Sequence, residues 1–168
     1  MRIRNVVVVV VSALAIGTFA RAASPHSPAL VAGGTEVATT AWTPGTGNIE
    51  PGGRIRDWTA TFEDVLVGPA GDLASGSGPV TMNCNLDQGL TGPCWGTFTF
   101  TNARGSWDGI WRGTFSFVTG AGSYKAFAHG TGGLRGLSLE NDVVFPGYAV
   151  STTGTGYVFS TVRDTRWF

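Results

Sequence analysis

The chain has 168 residues, 42% of them hydrophobic and only 13% charged, with 26 glycines, and its eleven basic and eleven acidic residues cancel to a formal net charge of zero. That length suits one domain. Glycine without a three-residue period excludes a collagen-like chain, the apolar and aromatic content excludes a disordered tail, and charge balance with a single lysine (Lys125) removes the electrostatic footprint of a nucleic-acid binder.

Residues 1–22 read as a signal peptide. Arg2 and Arg4 form a short basic start, an apolar run covers Val6 to Ala20, and Ala20-Arg21-Ala22 fits a small-x-small cleavage pattern, so Ala23 is the expected mature N-terminus. The apolar run is shorter than the ~18–20 residues that span a bilayer, which leaves retention as a short anchor the weaker reading; no second such segment follows. Cleavage removes Arg2, Arg4 and Arg21, so the exported chain is mildly acidic. Residues 23–34, with Pro25 and Pro28, read as a flexible leader.

From residue 35 to 160 no apolar repeat at helical spacing is sustained, and short β-rich runs alternate with glycine, proline and asparagine. Strands are expected at 35–42, 54–67, 80–86, 95–101, 107–118, 124–129, 137–145 and 148–159. The insertion 68–79, rich in serine and glycine, reads as a mobile surface loop with little to bury. Asn102-Ala103-Arg104-Gly105, Gly120-Ala121-Gly122 and Pro146-Gly147 are tight-turn signals that favour antiparallel hairpins. Parallel pairs would need crossover segments of about a dozen residues, and none is visible. Residues 161–168 form a C-terminal tail, where Arg163, Asp164 and Arg166 leave partner binding open.

Cys84 and Cys94, the only cysteines, lie at the ends of β-like runs with a turn-rich loop between them. An even count in an exported chain reads as a disulfide. A redox pair or metal site lacks C-x-x-C spacing and a nearby histidine, and no Cys/His zinc set can be assembled. No cofactor is implied: Gly130 to Gly136 misses the G-x-G-x-x-G spacing, and no G-x-S-x-G elbow occurs.

In the fifth strand Trp107, Gly109, Trp111, Gly113, Phe115 and Phe117 share one face, while Asp108, Ile110, Arg112, Thr114, Ser116 and Val118 share the other. Arg112 therefore belongs outside if the aromatics are inside. Glycines between large rings make room for a neighbouring ring or let the strand coil. The fourth strand repeats the device with Gly96, Phe98 and Phe100, and the eighth with Gly154 and Gly156. Eight coiling strands without covering helices point to closure, because closure removes exposed edges. The expected fold is all-β, an eight-stranded antiparallel barrel, with a two-sheet β-sandwich as the alternative.

Trp107-Asp108-Gly109-Ile110-Trp111-Arg112-Gly113-Thr114-Phe115, Gly122-Ser123-Tyr124 and the stretch from His129 to Leu137 resemble the allene oxide cyclase barrel-like group, which includes many exported bacterial proteins, over residues 106–159. The resemblance implies an eight-stranded antiparallel barrel of calycin-like shape, often a homo-oligomer. No residue role is carried over from the plant cyclases.

Trp107, Trp111, Phe115 and Tyr124 are the candidate ligand-lining residues. They admit two uses, filling the interior or lining a cavity for one small apolar molecule. His129, the one histidine inside the expected fold, is the sole candidate general base, against a plainer reading as a solvated strand-end residue. Glu63-Asp64 and Glu140-x-Asp142 are acidic pairs whose plainer reading is a solvated face. Three functions remain open: an exported barrel that binds a small apolar or aromatic ligand, a cyclase or isomerase that works by orienting its substrate, and a structural or surface-interaction protein with a filled barrel. A buried acid within reach of a ligand would favour the second.

Overall fold

Alternation with period two turns each apolar run into a strand with one face for the core. The computed structural model describes residues 28–147 and 155–165, and in it eight such runs close into a single antiparallel barrel. The strands are β1 (Leu30–Ala38), β2 (Arg54–Val67), β3 (Gly76–Asn85), β4 (Thr91–Asn102), β5 (Gly105–Ser116), β6 (Ala121–Gly132), β7 (Leu137–Pro146) and β8 (Gly156–Asp164). Every strand pairs with its sequence neighbour, and β1 closes the ring against β8, from Leu30 opposite Val162 to Glu36 opposite Gly156. The barrel therefore stands and the sandwich does not.

Strand limits differ from expectation at the ends of the domain. β1 starts at Leu30, inside the expected leader, because Ala32 packs in the core and Leu30 to Glu36 supply the edge that β8 needs. β8 runs to Asp164, inside the expected tail, and buries Val162. The expected signal peptide, Tyr148 to Gly154 of the expected eighth strand, and Arg166 lie outside the described residues.

The insertion after β2 is a correction. A single helical turn, α1 (Gly71–Ala74), crosses one end of the barrel, and Ala70 and Ala74 are fully buried. Small side chains let its backbone approach the barrel end closely. The Leu73 carbonyl accepts hydrogen bonds from Trp107 Nε1 (2.8 Å) and Asn102 Nδ2 (2.9 Å). Leu134, in the β6–β7 turn, is also fully buried. This end is a closed base.

Above the base, rings sit against glycines. A Cβ built on Gly109 would lie 2.5 Å from Phe98 Cε1, directly across the β4–β5 ladder, and one on Gly156 would lie 2.8 Å from Phe145 Cζ. These glycines provide the space that the aromatic side chains occupy. Cys84 and Cys94 face each other in register on β3 and β4 and form a disulfide.

β2 carries a bulge between Ile55 and Trp58, with Asp57 at φ 54°. The extra residue changes which parity faces inward. Ile55 is buried on one side of the bulge, and Ala60, Phe62, Asp64 and Leu66 on the other.

Candidate functional site

The end opposite the base is open. There the barrel interior forms a cup of about 290 Å³, walled by Trp42, Phe62, Trp111, Phe115, Tyr124 and Phe145. Trp111 lies 5.3 Å from Tyr124 between ring centroids, Phe115 lies 5.7 Å from Phe145, and Trp42 lies 5.6 Å from Phe62. These separations fall in the ~4.5–7 Å range of favourable ring pairs. Trp111 also donates from Nε1 to the Thr81 carbonyl at 2.9 Å, which fixes its ring in the wall.

Three of the four expected lining residues, Trp111, Phe115 and Tyr124, meet in the cup. Trp107 does not. It is fully buried in the base beside α1, where its indole donates to Leu73. The two uses open to these aromatics are thus divided along the axis: the base is packed and the upper half is hollow.

His129 stands exposed on the outer face of β6, in register with Asp108 of β5, and does not line the cup. Arg112 is outside, as alternation requires. Glu140 and Asp142 also point outward, where Lys125 Nζ approaches Asp142 Oδ1 at 2.6 Å and Arg163 Nη1 approaches Glu140 Oε2 at 3.2 Å. The Glu63-Asp64 pair is split by the pleat. Glu63 is exposed and Asp64 is only 1% exposed.

Asp64 belongs to a buried polar cluster beneath the aromatic walls. Glu36 of β1 is its partner across the ladder, and the two carboxyls are hydrogen-bonded to each other. Tyr124 Oη donates to Glu36 Oε2. Asn141 Nδ2 reaches Asp64 Oδ2 at 3.4 Å, and Ser160 Oγ donates to Asn141 Oδ1 at 2.7 Å. Five strands therefore each contribute one polar side chain to the interior, and Glu36 is the acid that lines the cup.

Burial away from water raises both acids. Desolvation takes Glu36 from its ordinary 4.5 to about 7, opposed by the hydrogen bonds from Tyr124 and Asp64. Desolvation and the adjacent Glu36 charge push Asp64 well above the usual aspartate range. Burial, then the two acids, also raises the Tyr124 phenol, so it stays a donor at neutral pH. The hydrogen bond between the two acids lowers Glu36 and raises Asp64, so Asp64 is the partner that keeps the proton and donates it to Glu36. Among the described residues Asp64 Oδ1 has no partner, so this bond runs through Oδ2. Above pH 7 the arrangement is one carboxylate, Glu36, braced by two O–H donors at the floor of an aromatic cup.

Glu36, Asn141 and Ser160 were not among the expected site residues. The signal was present for two of them: Asn141 lies between Leu139 and Val143, and Ser160 between Val158 and Val162, on faces that these neighbours make apolar, whereas Glu36 has only Gly34 and Ala38 beside it. A wider outer groove of about 450 Å³ runs past Asn83, Trp95 and Ile110 and reaches neither Glu36 nor Asp64.

No family model, curated protein or solved structure matches the chain.

Proposed function

We propose that the protein is a binding barrel for one small, largely apolar or aromatic molecule, held in the open cup. The carrying observation is the cup itself: a ring-walled hollow of about 290 Å³, open at one end, above a packed base. That volume is at the lower edge of the ~300–1,000 Å³ of small-molecule sites. The ligand is therefore small, of no more than about three rings. The test is saturable binding of neutral N-phenyl-1-naphthylamine, followed by its fluorescence, in the native chain and in Ala38→Phe, which fills the cup from the end of β1. The reading expects one site per chain and at least a tenfold loss in the variant; no saturable binding to the native chain overturns it.

A second reading, an isomerase or cyclase that orients its substrate, is favoured by one observation: Glu36 and Tyr124 present an acid and a phenol to the same cup. It shares the fold implied by the resemblance to the allene oxide cyclase barrel-like group.

The site of action in this proposal is outside the cytoplasm. The Cys84–Cys94 disulfide fits an oxidising compartment, and no helix among the described residues is long and apolar enough to cross a membrane. The basic, apolar and small-residue order of residues 1–22 supplies the export signal in this reading. An intact mass of the exported protein beginning at Ala23 is expected; a chain retaining Arg2 and Arg4 contradicts it.

A further inference from the structure

The cup is apolar on its walls and acidic at its floor. Among the described residues no lysine or arginine is buried or lines the cup. Lys125 and Arg163 are taken up by Glu140 and Asp142 on the outside. Among the described residues, the buried charge on Glu36 is stabilised by the hydrogen bonds from Tyr124 and Asp64. A desolvated carboxylate without a counter-ion is costly, and a ligand that brings a positive charge removes most of that cost. The rings around it act in the same direction, because the faces of Trp111, Phe115, Tyr124 and Phe145 attract a cation that lies within ~6 Å of their centres. A carboxylate or phosphate ligand meets repulsion at the same floor.

Building on the binding-barrel reading, we propose that the cup selects organic cations: a protonated amine that pairs with Glu36, carried on an aromatic or aliphatic body that lies against Trp111, Phe115 and Phe145. Asp64 keeps its proton and remains a donor to Glu36, so the bound pair is one ammonium and one carboxylate. Both partners must be charged, which sets a pH window. Binding strengthens as Glu36 ionises around pH 7 and weakens again above about 10, where an alkylammonium loses its proton.

The experiment is calorimetric titration at pH 8.5 with three ligands of one shape, 2-phenylethylamine, 2-phenylethanol and 3-phenylpropionate. The amine is expected to bind at least tenfold more tightly than the alcohol, with the acid weakest. Glu36→Gln should remove the preference, bringing the amine down to the level of the alcohol measured in the same variant. In the native chain amine affinity should rise from pH 6 to pH 8. Tyr124→Phe, which removes one donor from Glu36, should move that rise to higher pH, and this pair of profiles carries the test if Glu36→Gln does not fold. Equal affinity for amine and alcohol, or an amine preference that survives Glu36→Gln, overturns the proposal. So does failure of all three ligands while N-phenyl-1-naphthylamine still binds, which leaves the cup standing as a neutral site. If that probe also fails, the binding-barrel reading falls first and this inference falls with it.

Discussion

Glu36 and Asp64 hold protons in the folded barrel that the unfolded chain would release, and that fixes the sign of a pH effect. Glu36 rises from 4.5 to about 7, and Asp64 moves in the same direction from 3.8. A carboxyl raised in the folded state favours folding while it is protonated. Its contribution is complete below the unfolded value and is lost as pH climbs through the folded one. Stability should therefore fall by a few kcal/mol between about pH 4.5 and 7 on account of these two groups. Urea unfolding at pH 5 and pH 8 measures the change, and Glu36→Gln isolates its source, since the surface pairs of Glu140 and Asp142 are unaltered in the variant. The native chain should lose more stability than Glu36→Gln over this interval. Equal losses would show that Glu36 is not raised.

The inward set Trp107, Trp111 and Phe115 on β5 was legible because alternation there is regular. β2 matches its expected span at both ends, although its bulge reverses the parity after Ile55. Legibility failed where something other than alternation sets the local structure. α1 is a single turn held by tertiary hydrogen bonds to Leu73, and no sequence period announces four residues of helix. The start of β1, Leu30 to Ala32, is a short apolar run that pairs with β8 alone, a partner at the far end of the chain that no local pattern announces. Asp64 sits on an apolar face between Phe62 and Leu66, but placing Glu36 beside it requires the β1–β2 register, which local pattern does not contain. The same element-level reasoning makes Gly109 a point of failure. Gly109→Val places side-chain atoms where the Phe98 ring lies, and overpacking of this kind costs roughly 1–3 kcal/mol. Thermal unfolding of that variant should report the loss, and Gly109→Val combined with Phe98→Leu should recover part of it. A variant as stable as the native chain would contradict the ring-against-glycine packing.

At the scale of the whole molecule the barrel is asymmetric along its axis. α1, Leu134 and Trp107 close one end, while the other opens into the aromatic cup above Glu36. The tryptophans sample this asymmetry: Trp42 and Trp111 wall the cup, Trp107 lies in the base, and Trp95 is on the outer surface. Their indole N–H signals therefore serve as position-specific reporters in a proton–nitrogen NMR titration with N-phenyl-1-naphthylamine. The account predicts saturable shifts at Trp42 and Trp111, with Trp107 and Trp95 little changed. Shifts centred on Trp95, or no saturable shift at Trp111, would contradict it.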